Sequence, residues 1–280
     1  MILAVASGKG GTGKTTFAAN LALSLEKDLC FLDCDVEEPN AHLLLHPQIT
    51  FTEPVFLPVP VFDPERCTGC GTCVEVCAYN ALALIADGVM TFAEMCHGCG
   101  GCIYFCPTGA LTEGRREIGV IEEGRVGKLS FAQGRLKVGE ALVPPVIKAL
   151  RRKSPKGTPT IVDCPPGTSC PVIQAVRGAG FCVIVTEPTP FGQHDLEISI
   201  EMLKVLGIPY GVLINRADLG DAGVKNYCRE RGIPVLAEIP FDREIARCSA
   251  AGVAFTERFP RWRGIFREVW GKIRGLAAYA

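Results

Sequence analysis

Apolar residues fall in short runs that end abruptly at polar or turn residues. Ile2–Ala6 stops at Ser7-Gly8, and Leu29–Leu32 stops at Asp33. Such brief, unalternating runs read as strands buried on both faces. The same pattern returns at Thr160–Val162, Cys182–Thr186, Tyr210–Ile214 and Val235–Ile239. Between these runs the apolar spacing becomes helical. Phe17, Leu21 and Leu25 mark Thr15–Leu25; further helices are predicted over Pro144–Arg152, Gln193–Leu206, Val224–Arg231 and Arg261–Leu276. Strands alternating with helices predict an α/β fold, a mostly parallel sheet flanked by helices. Pro54–Val61 is a poorer strand candidate because of its prolines.

The pattern lapses between Cys67 and Cys106, where eight cysteines fall among glycines and no long helix is predicted. Residues 62–114 read as a small inserted domain. The α/β domain then comprises residues 1–61 and 115–280. Spaced glycines and alternating apolar residues over Gly114–Gly139 predict hairpins where it resumes.

Composition narrows the function. At 280 residues, with 48% hydrophobic and 21% charged, the chain has enough apolar material for a large core. Lys+Arg (29) and Asp+Glu (30) nearly cancel, which excludes a globally basic nucleic-acid binder. No apolar run approaches the roughly 18 residues of a membrane span. The start, MILAVASGKGG, lacks the basic segment of a signal peptide. Fifteen cysteines without an export signal imply a reducing, cytoplasmic setting and metal binding over disulfides.

Gly8-Lys9-Gly10-Gly11-Thr12-Gly13-Lys14-Thr15-Thr16 matches G-x4-G-K-[ST] between a strand and a helix. Its glycines let backbone N–H groups converge on phosphates at a helix N-terminus. Lys14 is suited to the β/γ phosphates and the Thr15 hydroxyl to Mg²⁺.

The early second lysine, Lys9, makes the chain resemble MinD/ParA-type ATPases, a group that includes Mrp-type cluster carriers and the nitrogenase iron protein. Leu32-Asp33-Cys34-Asp35 resembles the family's first acidic motif. Val162-Asp163-Cys164-Pro165-Pro166-Gly167 resembles its switch II, and Ile214-Asn215-Arg216 its base-recognition strand end. The resemblance implies that Lys14 and the amides of Gly10 to Thr16 hold ATP. It implies that Thr15 coordinates Mg²⁺, with Asp33 and Asp163 behind its water shell. Asp35 would orient the attacking water, Asn215 would contact adenine, and Lys9 would reach the nucleotide of a partner subunit. The Ile239-Pro240-Phe241-Asp242 loop would lie near the base.

The cysteines run Cys67-x2-Cys70-x2-Cys73-x3-Cys77 and Cys96-x2-Cys99-x2-Cys102-x3-Cys106-Pro107. This spacing is similar to bacterial two-cluster ferredoxins, in which each motif's fourth cysteine ligates the other cluster. The resemblance implies two [4Fe–4S] clusters, one held by Cys67, Cys70, Cys73 and Cys106, the other by Cys77, Cys96, Cys99 and Cys102. Zinc is the competing metal, but three closely spaced cysteines suit one tetrahedral ion badly. Ala78 replaces the usual proline in the first motif, and His97 reads as an exposed loop residue. A MinD-type ATPase carrying such an insert resembles a family of cytoplasmic proteins from anaerobic bacteria and archaea.

Of the remaining cysteines, Cys30, Cys34, Cys164, Cys182, Cys228 and Cys248 read as small core residues. Cys170 lies just beyond switch II, where the nitrogenase iron protein carries a cluster ligand; inert burial is preferred there over a cluster bridging a dimer. Trp262, Ile265, Phe266, Val269, Trp270, Ile273 and Leu276 share one face of the last helix, with basic residues opposite. Packing on the sheet is preferred over the membrane contact that MinD makes with such a helix.

The function expected is an ATPase whose nucleotide-driven dimerisation, with itself or a related ATPase, is coupled to electron transfer or to iron–sulfur cluster handling. A redox or cluster acceptor protein follows as partner. The alternative is MinD-like spatial organisation with redox-sensing clusters.

Overall fold

The structure, a computed structural model, describes residues 1–86 and 88–278. Its strands are β1 (Ile2–Ala6), β2 (Leu29–Asp33), β3 (Gln48–Phe62), β4 (Leu82–Ile85), β5 (Gly88–Thr91), β6 (Leu111–Val126), β7 (Leu129–Leu136), β8 (Thr160–Asp163), β9 (Phe181–Thr186), β10 (Tyr210–Asn215) and β11 (Val235–Ile239). Among the described residues nine of these form one sheet in the order β11-β10-β9-β1-β8-β2-β7-β6-β3. Neighbours from β11 to β7 run parallel, while β6 and β3 are antiparallel additions.

The central strands are apolar throughout because helices cover both faces, burying every residue of β2, β8 and β9. One face carries the helices Val143–Arg151, Cys170–Val176, Pro190–Val205 and Gly223–Glu230. The other is covered by the helix Lys14–Leu25 and the C-terminal helix Arg261–Ala278. Trp262, Phe266, Val269, Trp270 and Ile273 are all buried there. Phe266 meets Phe17 edge-on at 5.5 Å. Buried Asn20 braces the contact, accepting from the amide and hydroxyl of Thr256 at 3.0 and 2.9 Å.

The expected strand Pro54–Val61 is part of a much longer one. β3 spans fifteen residues at the sheet edge, where Pro58 and Pro60 withhold N–H groups at little cost. The hairpin predicted within Gly114–Gly139 is β6 and β7, joined by the two-residue turn Gly127-Lys128, with Gly127 at φ 56°.

β6 pairs with β7 only as far as Gly119–Leu136, but with β3 as far as Leu111–Phe62. The outer halves of β3 and β6 therefore leave the sheet as a two-stranded ribbon, at the end where the parallel strands terminate. The ribbon carries residues 63–110, slightly fewer than the 62–114 expected. This segment contains the β4–β5 hairpin and the four-residue helices Thr72–Glu75 and Gly101–Tyr104. Cys73, Leu82, Val89, Cys102 and Leu111 form its own small core.

Candidate functional site: a nucleotide cleft and two cysteine cavities

Loop Gly8–Gly13 joins β1 to the helix Lys14–Leu25 at the carboxyl end of the sheet. Gly13 takes φ 90°, and a Cβ there would lie 2.5 Å from the Asn215 amide nitrogen, so side chain and handedness both demand glycine. A cleft of about 450 Å³ opens above the loop. Residues 10–16, Asp35, Pro166 and Asn215 line it, as does the Ile239–Asp242 loop.

Lys14 is buried at the base of the cleft, its Nζ 3.3 Å from Asp163 and 3.8 Å from Asp35. Burial alone would lower its pKa, but Asp163 and Asp35 outweigh burial and raise it. Asp33 and Asp163 face each other across paired strands, and both are fully buried. Burial, with repulsion from Asp163, pushes Asp33 up to about 7 despite its backbone donors at Asp35, Asn40 and Ala41. Burial likewise raises Asp163, opposed by Lys14 and the Thr15 hydroxyl. Asp35 is raised to about 6, again chiefly by burial. Among the described residues Asp163 Oδ2 has no hydrogen-bond partner, and Thr12 Oγ1 is also unpaired. A buried carboxylate oxygen without a donor, beside a threonine at a helix start, fits a hydrated divalent cation.

Two residues take positions the resemblance did not suggest. Lys9 Nζ lies 3.2 Å from Glu187, which also accepts from Arg216 at 2.7 Å. Asn215 donates to the Thr12 carbonyl at 2.8 Å, so its amide group ties β10 to the loop while also lining the cleft. Nothing in the sequence pairs Glu187 with Lys9.

The eight motif cysteines gather around two cavities in the inserted segment. Cys67, Cys70, Cys73 and Cys106 line one; Cys77, Cys96, Cys99 and Cys102 line the other. Backbone N–H groups of Gly69, Ala81, Gly98 and Ala110 donate to the sulfurs of Cys67, Cys77, Cys96 and Cys106. Among the described residues, no three His, Cys, Asp or Glu side chains converge closely enough for a single metal ion. A zinc site would need sulfurs about 3.8 Å apart, from a Zn–S bond of about 2.3 Å. Four cysteines around one cavity, with backbone N–H donors to their sulfurs, are the donor set a multi-iron cluster takes.

Cys170 is exposed at the start of its helix, contrary to the burial expected for it, because it opens the helix at the surface, whereas Cys30, Cys34, Cys164, Cys182, Cys228 and Cys248 are buried. No helix among the described residues is long and apolar enough to cross a membrane.

A family model, the CobQ/CobB/MinD/ParA nucleotide binding domain, matches residues 3–255. The chain is 31% identical over 261 residues to an uncharacterized protein of Methanocaldococcus jannaschii, covering 91% of each. It is 23% identical over 274 residues to an iron–sulfur cluster carrier protein of that organism, covering 90% of this chain and 76% of the carrier. Its fold is similar to the cell division ATPase MinD of Pyrococcus furiosus, with TM-score 0.60, 20% identity and 98% of both chains covered.

Proposed function

The chain belongs to the CobQ/CobB/MinD/ParA nucleotide-binding family, and on that premise we propose that it is an ATP-hydrolysing iron–sulfur protein. Nucleotide-driven dimerisation would be coupled to electron transfer or to the handling of iron–sulfur clusters.

The hydrolysis reading rests on the chemistry at the cleft base. Backbone amides from Gly10 to Thr16 and the Lys14 ammonium would hold the phosphates. Thr15, Asp33 and Asp163 would hold Mg²⁺, which supplies charge neutralisation at the β and γ phosphates. Asp35, raised to about 6, is basic enough to orient a water and take up its proton. Phosphoryl transfer is mainly positioning and charge stabilisation, so few groups are needed. Lys9 would leave Glu187 and reach the phosphates of the partner subunit's nucleotide.

The single observation that carries the coupled reading is the register between the cleft and the ribbon. Asp33 pairs with Gln133 across β2 and β7, and Gln133 pairs with Glu122 across β7 and β6. Gln133 also donates to Glu122 at 2.6 Å. β6 then runs directly into the segment with the cysteine cavities. Asp33 is thus joined through the β2–β7–β6 ladder to the strand whose first residue, Leu111, adjoins that segment, and this supports the coupling. Cys67, Cys70, Cys73 and Cys106 would hold one [4Fe–4S] cluster, and Cys77, Cys96, Cys99 and Cys102 the other; these would supply one-electron chemistry. The cluster-carrier relative supports cluster handling as one output.

The test is anaerobic purification, iron analysis, and EPR of the dithionite-reduced protein with and without Mg-ATP. ATP hydrolysis, two clusters and a nucleotide-dependent signal are expected. Clusters indifferent to ATP would overturn the coupling, and absence of iron would overturn the iron–sulfur reading.

A further inference from the structure

The two cysteine motifs are duplicates in backbone but not in the side chains around their sulfurs. Cys67 corresponds to Cys96, Thr72 to Gly101, and Tyr79 to Thr108. The backbone donors match closely. Gly69 donates to Cys67 and Gly98 to Cys96, each at 3.4 Å; Ala81 donates to Cys77 at 3.3 Å and Ala110 to Cys106 at 3.2 Å. The hydroxyl groups do not match. Thr72 Oγ1 lies 3.5 Å from Cys70 Sγ, and Thr108 Oγ1 lies 3.8 Å from Cys106 Sγ. Both of these sulfurs belong to the cavity of Cys67 and Cys73. At the equivalent places in the other cavity stand Gly101, with no side chain, and Tyr79.

Tyr79 does something different. Its ring stacks on His97 with centroids 3.7 Å apart and planes 5° from parallel. Both rings line the cavity of Cys77, Cys96, Cys99 and Cys102. Thr68 and Thr108 line the other cavity where those rings would be.

On the reading that each cavity takes a [4Fe–4S] cluster, we infer that the two are electronically unequal. The site of Cys67, Cys70, Cys73 and Cys106 is the easier to reduce, and an electron shared between them rests there. A thiolate bound to iron has no proton, so each threonine hydroxyl must donate to it. Such donors stabilise the extra negative charge of the reduced form and raise the potential. The other cavity has Gly101 and the Tyr79 ring where those two threonines stand, so among the described residues neither threonine hydroxyl has a counterpart in its sulfur contacts. The hydroxyl asymmetry therefore sets the direction. The step is an internal exchange in which one cluster loses the electron that the other gains. It runs from the site packed against Pro58, Val59 and Pro60 to the site packed against Phe62 and Leu111, farther out along the ribbon.

The test is a redox titration of the anaerobically purified full chain, followed by EPR at one fixed pH, with iron counted per chain. Two one-electron steps are expected, separated by at least tenfold in electron partition, or about 59 mV. Replacing both threonines (Thr72→Val, Thr108→Val) should lower the upper step about tenfold and leave the lower one in place. Thr72→Ser with Thr108→Ser keeps the hydroxyls and should preserve it. Gly101→Thr should raise the lower step. That position has room, since an added Cβ meets only Cys99 Sγ, at 3.8 Å. Two full clusters with coincident potentials, or an upper step indifferent to the valines, would overturn the inference alone. Iron well short of two clusters would overturn the iron–sulfur reading itself, and the inference with it.

Discussion

Lys9 and Glu187 form an ion pair within one chain, Nζ to Oε2 at 3.2 Å, with Glu187 also gripped by Arg216. If Lys9 serves a partner subunit, this contact must break first, so it opposes dimerisation. Partly exposed pairs are worth about 0.5–1 kcal/mol, or about two- to fivefold in an equilibrium. A homodimer breaks two such contacts, so Glu187→Gln should let the ATP-bound dimer form at a protein concentration lower by about five- to thirtyfold. Lys9→Ala should abolish it. Sedimentation velocity with Mg-ATP reads both, and a Lys9→Ala protein that dimerises normally would refute the role in trans.

The raised carboxylates predict an inverted pH dependence near the cleft. Asp35 titrates near 3.8 when unperturbed but is held at about 6 in the fold, and Asp33 at about 7. Between about pH 4 and 7 the folded state binds more protons at these groups than the unfolded chain. Their contribution to stability therefore falls as pH rises through that window. Asp35→Asn removes one such cost without touching a backbone donor. Its stability relative to wild type, from urea unfolding of the nucleotide-free protein, should be more favourable at about pH 8 than at about pH 5. Equal differences at the two pH values would show that Asp35 is not raised.

Much of this architecture is legible in the residues, and the illegible parts have physical reasons. Strands such as β2 and β9 announce themselves because both faces are buried, leaving unbroken apolar runs. The phosphate loop is legible because its glycines have no other use. β3 is legible only over Pro54–Val61, since an edge strand tolerates prolines and exposed side chains that disguise the rest. The helix Arg243–Ala250 buries only Cys248, so it lacks the apolar periodicity that marks the other helices. The helix Cys170–Val176 opens on Pro171 and reads as a continuation of the switch loop. Contacts such as Lys9 with Glu187 join residues far apart in sequence, and no local pattern encodes them.

The C-terminal helix supplies a third prediction. Trp270 is 6% exposed and lies under Lys27, whose Nζ is 4.3 Å from the ring centroid. Its helix face is already occupied by the sheet and the helix Lys14–Leu25. Trp270→Asp should therefore act on stability, costing at least about 3 kcal/mol by loss of a large buried ring and burial of a charge. Urea unfolding measures this. The wild-type protein should not float with anionic vesicles, with or without ATP. ATP-dependent flotation would mean that the helix leaves its seat.

The cysteine cavities make a pairing prediction that separates crossed motifs from independent ones. Cys106 belongs to the second motif by sequence but lines the cavity of Cys67, Cys70 and Cys73. Cys77 belongs to the first motif but lines the cavity of Cys96, Cys99 and Cys102. If the ligands are shared in this way, Cys70→Ser and Cys106→Ser damage the same cluster. The double variant Cys70→Ser/Cys106→Ser should then keep one intact cluster and about half the iron, following the crossed-ligand arrangement. Cys70→Ser/Cys77→Ser should damage both, although its two substitutions lie within one motif. Iron per chain and the EPR signal of the reduced protein decide the matter. Were each motif to hold its own cluster, the outcomes of the two double variants would be exchanged.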